Sequence, residues 1–185
     1  MQKTYLCIDL KSFYASVECV ELGLDPFKVN LVVADPTRGG GAITLAATPA
    51  IKKLGVSSRG RIFEIDPKIE YMIAPPRMHL YMEYSCKVYK VFLEFIAKED
   101  IHVYSIDESF LDITSYLKLY QVNAKELAKK MLDRIYEKTG LTATVGIGTN
   151  LYLAKIAMDI SAKHNADRMA YLNEDLYRQT LWHHV

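Results

Sequence analysis

An α+β fold built on a split βαβ sheet is predicted by three features of the sequence. With residues 13–75 set aside as an insertion, the remaining apolar patterns run strand, helix, hairpin, helix, strand. That order gives an antiparallel-rich sheet with helices packed on one face. Two of the strands are interrupted by acids: Asp9 in Tyr5-Leu6-Cys7-Ile8-Asp9-Leu10, and Asp107-Glu108 in Ser105-Ile106-Asp107-Glu108-Ser109-Phe110-Leu111-Asp112. Unpaired charges are costly to bury, so these interruptions mark a place where something compensates them. The insertion has strand and helix patterns of its own and reads as a small α/β subdomain.

Residues 3–10 alternate as a buried strand. Ser12 is the expected N-cap of a helix whose Phe13, Val17 and Val20 share a face and which ends near Gly23. Residues 30–34 and 42–46 are expected as strands joined by a hairpin turn at 35–41, where Pro36 and three glycines stand. The Arg38-Gly39-Gly40-Gly41 stretch lacks the Gly-Lys-Ser/Thr ending of a phosphate-cradling loop. A short helix from Pro49 ends at Gly55, residues 69–74 are strand-like, and a helix is expected over 78–97. Tyr81, Tyr84 and Tyr89 lie at helical spacings there and read as packing residues. Residues 102–104 and 109–113 form a hairpin around the acid pair. Asn123 with Glu126 is a capping box opening a helix lined by Leu127, Met131 and Ile135 and closed by Gly140. Residues 142–148 are a β-branched strand, and Asn150 caps a helix whose apolar face includes Leu151, Ala154 and Met158.

At 185 residues the chain can bury a real core and fits one domain, or one domain plus a small insertion. Half hydrophobic and 24% charged is ordinary for a folded soluble protein. No apolar run approaches the about 20 residues that a membrane helix needs. The first residues enter a strand pattern directly, with no signal-peptide core, so a cytoplasmic protein with no membrane partner is expected. Cys7, Cys19 and Cys86 are odd in number, widely spaced and set among apolar residues, which predicts reduced core thiols. The terminal His183-His184 pair lacks the spacing of a metal site. The formal net charge is only +1, short of the basic excess usual in a protein that grips nucleic acid.

In a regular strand Asp107 and Glu108 point to opposite faces, so both reach one site only at a strand end or an irregularity. The hairpin supplies one, and in a split βαβ sheet the first strand lies beside it, which lets Asp9 join. Three clustered carboxylates raise one another's pKa values unless cations neutralise them. Two Mg²⁺ ions about 3.5–4 Å apart would do so, and would clamp the attacking and leaving oxygens of an in-line phosphoryl transfer. Mg²⁺ suits a sparse carboxylate set because water and substrate phosphates complete its shell. Taken singly, an Asp-Glu pair is ordinarily a solvated corner and a lone Asp an ordinary cap. Together, each breaking an apolar strand of the same sheet, they favour a metal site.

Around these acids the sequence closely resembles the palm and fingers of the Y-family DNA polymerases, the translesion enzymes that include the UmuC- and DinB-like (ImpB/MucB/SamB) proteins. The resemblance covers essentially the whole chain. It rests on Ile8-Asp9-Leu10-Lys11-Ser12-Phe13-Tyr14-Ala15-Ser16-Val17-Glu18, on Ser105 to Asp112, and on Val145-Gly146-Ile147-Gly148 through Leu153-Ala154-Lys155-Ile156-Ala157. It implies a ferredoxin-like palm from residues 1–12 and 76–172, fingers from 13–75, and in 173–185 the start of a connection to a thumb. It also implies that Asp9, Asp107 and Glu108 hold two Mg²⁺ ions, with Mn²⁺ as a substitute and the Leu10 carbonyl as a backbone ligand. The reaction implied is attack of a primer 3′-hydroxyl on the α-phosphate of an incoming deoxynucleotide.

Nucleotide contacts are implied at Phe13, Tyr14, Lys52 and Lys155. Tyr14 falls at the family's steric-gate position, where a rigid ring clashes with a ribose 2′-hydroxyl and selects deoxynucleotides by exclusion. Lys155 is placed to reach the triphosphate; the alternative is a lysine snorkelling from an apolar face. The fingers depart from the family pattern, with Pro49 where many members carry Tyr and Lys52 where they carry Arg. Lysine keeps the charge and loses the bidentate fork.

Family members continue into a helical thumb and a C-terminal little-finger domain that supply much of the basic DNA grip. The resemblance therefore reconciles the near-neutral charge with primer–template DNA and a deoxynucleotide as partners. It further implies a sliding clamp or other replication factors engaged through parts beyond Val185, in the bacterial cytoplasm and in the SOS response. Two other readings remain. A palm-type nucleotidyl cyclase uses paired acids without a primer, and Tyr14 and the fingers insertion argue against it. A non-catalytic remnant or partner-docking module is favoured by Pro49 and disfavoured by the retained acids.

Overall fold

The computed structural model describes residues 2–183; Met1, Val185 and His184 of the terminal histidine pair lie outside the described residues. In chain order the elements are β1 (Tyr5–Leu10), α1 (Phe13–Glu21), β2 (Leu31–Val33), β3 (Ala46–Ala47), α2 (Pro49–Lys52), β4 (Met72–Ala74), α3 (Met78–Leu93), β5 (Ile101–Val103), β6 (Glu108–Asp112), α4 (Thr114–Tyr120), α5 (Ala124–Thr139), β7 (Ala143–Gly148), α6 (Leu151–Ile156), β8 (Met169–Leu172) and α7 (Glu174–Thr180). Two compact units share them: residues 1–10, 86–138 and 142–185 form the larger, residues 11–85 and 139–141 the smaller.

The larger unit is the expected split βαβ sheet, with strand order β5-β6-β1-β7-β8. β1 runs antiparallel to both its neighbours, and β7 and β8 are parallel. Register aligns three rows across the central strands: Glu108–Asp9–Thr144, Phe110–Cys7–Gly146 and Asp112–Tyr5–Gly148. Side chains alternate along a strand, so all three rows share one face. On that face Cys7 and Phe110 pack with Ala154 and Met158. The intervening Leu6, Ile8, Leu111, Val145 and Ile147 point the other way and are equally buried.

The two glycines of β7 let α6 lie directly on the sheet. A Cβ at Gly146 would overlap the Ala154 carbonyl and the Met158 backbone nitrogen, and one at Gly148 would overlap the Ala154 nitrogen. Asn150 caps α6 as expected, its side-chain oxygen accepting the Leu153 N–H at 2.8 Å. The helix then widens into a π-helical turn over Ala157–Ser161. Leu153, Ala154, Ala157 and Met158 form the buried stripe, and Leu151, expected on it, is 45% exposed. Leu151 is the first helical residue, and the stripe that meets the glycines begins two positions later.

The Asn123–Glu126 capping box is present in both directions, at 2.9 Å each. Three elements lay outside the expected set. α4 opens where Thr114 Oγ1 donates to Asp112 and accepts the Thr4 N–H at 2.9 Å. β8 is a short edge strand, and α7 is capped by Asn173, which accepts the Leu176 N–H at 2.8 Å. The helix expected to 97 stops at Leu93. Cys7 and Cys19 are buried as expected, but Cys86 is exposed. The buried positions of α3 are Tyr81, Tyr84, Val88, Val91 and Phe92, and Cys86 falls between their turns.

The smaller unit has a sheet ordered β3-β2-β4, with β2 antiparallel to β3 and parallel to β4. The hairpin turn expected at 35–41 is instead two short 3₁₀ turns within Pro36–Gly41, broken at Gly39 (φ 55°), the first opened by Asp35, which accepts the Thr37 N–H at 3.0 Å. The return strand pairs at Ala46–Ala47 rather than over 42–46. Residues 42–44 pair with 60–62 instead, through Ile62 N–H to Ala42 O and Thr44 N–H to Gly60 O. Val32, Ala47, Ile51 and Ile65 make this unit's core. Ser12 is not the side-chain cap expected for α1: its backbone is left-handed (φ 49°) and its hydroxyl makes no capping bond. It accepts the Lys52 ammonium at 3.0 Å instead.

Gly146→Ala forces a methyl into backbone atoms that cannot move aside. It is expected to cost about 3 kcal/mol or more, at the upper end of overpacking penalties, measured as the shift in urea midpoint at constant m-value.

Candidate active site

β1 delivers Asp9 to the outermost of the three rows, opposite Glu108 on one side and Thr144 on the other. Asp107 stands in the bend just before β6. Its carbonyl accepts the Leu10 N–H at 2.9 Å and closes the ladder at this end, while its carboxylate accepts the Ser105 hydroxyl at 2.8 Å. A strand end is thus how adjacent acids come to lie beside a third. The Asp9 carboxyl is pushed up to about 6, first by burial and further by Asp107, Glu108 and Asp159, with Lys163 opposing.

Two lysines supply positive charge to this cluster. Lys155 donates to Glu108 Oε1 at 2.6 Å, lies 3.3 Å from Asp159, and sits 5.5 Å from the centre of the Tyr104 ring. Burial disfavours its charge, but Glu108 and Asp159 together outweigh that and hold its pKa above the usual lysine range. Lys163 bonds Asp159 at 2.8 Å and approaches Asp9 at 3.6 Å. Burial penalises the Asp159 charge, yet Lys163 and Lys155 hold its pKa below the ordinary range. The Cys7 thiol donates to Glu108 at 3.2 Å; burial raises its pKa and keeps it protonated.

The structure therefore brings Asp9, Asp107, Glu108 and Lys155 together in the larger unit. It adds Asp159 and Lys163, which the sequence reading did not single out; the alternation of sign at Lys155, Asp159 and Lys163, four residues apart, is the signal that points to them. Phe13, Tyr14 and Lys52 belong to the smaller unit. Phe13 is buried, Tyr14 stacks on Tyr81 with ring centres 4.3 Å apart, and Pro49 opens the four-residue α2 that carries Lys52.

As the side chains stand, no group of three or more His, Cys, Asp and Glu among the described residues is close enough to hold a metal ion. The donor set nevertheless fits a hard divalent cation in kind: every side chain is a carboxylate, and Asp9 is half-buried beside like charges that make its ionised form unfavourable.

A folded-state pKa raised above the unfolded value means that Asp9 holds its proton longer in the native chain. Its contribution to stability is full below about pH 4 and is lost as pH rises through 6. In metal-free buffer, Asp9→Asn is therefore expected to stabilise the chain at pH 8 by roughly 1–3 kcal/mol, with the gain fading as pH falls through 6 to 4. Thermal melts of both proteins across that range measure it.

A family model described as the impB/mucB/samB family matches residues 8–159. The putative UV-damage repair protein UvrX of Bacillus subtilis (strain 168) is 39% identical over 184 residues, covering 98% of this chain and 42% of that protein. DNA polymerase IV 2 of the same organism is 37% identical over 185 residues, covering 98% of this chain and 43% of that protein. Among solved structures, an insertion ternary complex of Dbh DNA polymerase superposes with a TM-score of 0.80 at 28% identity, covering 95% of this chain and 50% of that one. The chain spans less than half the length of these two curated relatives. No helix among the described residues is long and apolar enough to cross a membrane. With the acids at the end of a split βαβ sheet and the family model matched over most of its length, the chain belongs to the impB/mucB/samB family of Y-family DNA polymerases.

Proposed function

We propose that this chain is the nucleotidyl-transfer part of a translesion DNA polymerase, with the larger unit as its palm and the smaller as its fingers. The observation that carries the reading is the row in which Asp9 and Glu108 face each other at a strand end, with Asp107 one residue before. Asp9, Asp107 and Glu108, with the Leu10 carbonyl, would hold two Mg²⁺ or Mn²⁺ ions. When bound, the ions supply the charge that favours the primer 3′-oxyanion and offsets charge on the triphosphate. The 3′-hydroxyl gives up its proton to solvent, its oxygen forms a bond to the α-phosphorus, the bond from that phosphorus to the bridging oxygen breaks, and pyrophosphate leaves with those electrons.

The chain's own residues set the conditions for this step. Lys155, which donates to Glu108 here, would offer the same ammonium to triphosphate oxygens if Glu108 held a metal ion. Tyr14 excludes the 2′-hydroxyl through its ring. Lys52, at the end of the short α2, offers a point charge to phosphate where an arginine would offer a fork. A template–primer duplex and a deoxynucleotide are the substrates, with phosphate contacts giving the DNA affinity its salt dependence.

The competing reading, a non-catalytic module, draws on the lysines that already neutralise the acids. Metal titration separates the two. Calorimetry is expected to show Mn²⁺ binding that Asp107→Ala and Glu108→Gln weaken; no binding by the unsubstituted protein would favour the module. In primer extension by the polymerase carrying this sequence, Asp107→Ala is expected to lower the rate by roughly 10²–10³ or more. Undiminished extension would remove the assignment.

A further inference from the structure

Glu18 is the one charged residue fully buried among the described residues, at 3% exposure, and the acid site does not use it. It lies four residues after Tyr14 on α1, so the two side chains share a helix face. Its carboxylate is fully engaged. Arg77 Nε donates to both oxygens at 3.1 Å, Arg77 Nη2 adds a further bond, and the Tyr81 hydroxyl donates to Oε1 at 2.6 Å. Tyr81 is wholly buried. Its ring stacks on Tyr14 at 4.3 Å and 14°, and meets Phe13 edge-on at 6.3 Å. A continuous chain of contacts thus runs from Arg77 through Glu18 and Tyr81 to the Tyr14 ring, all within the smaller unit.

Burying a carboxylate is costly, and the arrangement is retained only because every oxygen is matched. Such a pair contributes little net stability but fixes geometry. Here what it fixes is the hydroxyl end of Tyr81, and through it the plane on which Tyr14 lies. Exclusion of a 2′-hydroxyl needs a ring that does not yield to the extra oxygen. Stacking alone holds two rings loosely, because offset geometries are close in energy. The hydroxyl tether removes that slack.

We propose that Glu18 and Tyr81 are positioning residues for sugar discrimination: the Glu18 carboxylate, oriented by Arg77, anchors the Tyr81 hydroxyl so that the Tyr81 ring backs the Tyr14 gate. The proposal rests on reading Tyr14 as that gate. It assigns Tyr81 a role beyond packing, and makes Glu18 a determinant of specificity without contact to the nucleotide.

The test compares kcat and KM for a deoxynucleotide and its ribonucleotide counterpart in Tyr14→Ala, Tyr81→Phe and the double variant of the polymerase carrying this sequence. Tyr81→Phe keeps the ring and removes only the hydroxyl, so folding is preserved. It is expected to raise the ribonucleotide kcat/KM roughly three- to tenfold relative to deoxynucleotide, the effect of one lost hydrogen bond in a coupled network. The double variant is expected to match Tyr14→Ala, since Tyr81 acts through Tyr14. A purely structural role would lower both sugars' rates together and leave their ratio unchanged. If Tyr14→Ala relaxes selectivity and Tyr81→Phe does not, the positioning role is overturned while the gate stands; if Tyr14→Ala changes nothing, both fall. Independently of turnover, NMR of ring-labelled tyrosine in this chain is expected to show the Tyr14 ring signals shifted or broadened in Tyr81→Phe. Unchanged Tyr14 signals would overturn the tether.

Discussion

Like-charge repulsion at the end of β1 is the constraint around which the larger unit is organised. Asp9 and Glu108 are paired in register, Asp107 precedes Glu108, and burial weakens the solvent screening that would otherwise make such neighbours tolerable. The fold answers with Lys155 and Lys163, both reaching back from α6 and the turn that follows it. Asp159 between them holds each lysine by a second contact. The result is an alternating cluster in which Asp9, Glu108 and Asp159 each face a lysine, while Asp107 accepts the Ser105 hydroxyl.

That arrangement depends on residues with no charge at all. Gly146 and Gly148 occupy the same sheet face as the acids, one and two rows below, and their missing side chains allow α6 to press its backbone against β7. A larger residue there would lift the helix, and with it Lys155, away from Glu108. The π-helical turn over Ala157–Ser161 sits at the point where the helix must carry Asp159 and Lys163 towards Asp9, in keeping with the frequency of such turns at functional sites.

Most of this site was legible in the sequence, because a carboxylate in an apolar strand is conspicuous and strand order follows from the alternation of elements. The placing of β1 beside the hairpin, the hairpin carrying Asp107 and Glu108, and the Asn123 and Asn150 caps were readable for the same local reasons, whereas the position of β1 at the centre of five strands was not. Asp159 and Lys163 were not, since their meaning comes from a helix folding back over the sheet. Glu18 and Tyr81 are 63 positions apart and joined only by tertiary packing, so nothing local marks them as partners. The Ser12 cap and the 35–41 hairpin misled because Ser and Pro-Gly runs suit several local geometries, and the Lys52 bond and the 3₁₀ turns decided between them. β8 and α7 escaped notice as short segments whose pairing and packing supply what their periodicity lacks.

Whether the acid row is built for divalent cations, with lysine charge substituting for them, is tested directly by crystals of the protein soaked in Mn²⁺ and measured at the manganese absorption edge. The expected map has anomalous peaks bounded by Asp9, Asp107 and Glu108, with the Lys163 ammonium withdrawn from Asp9. A map without peaks there, with Lys155 still on Glu108 and Lys163 still beside Asp9, would contradict a row built for cations.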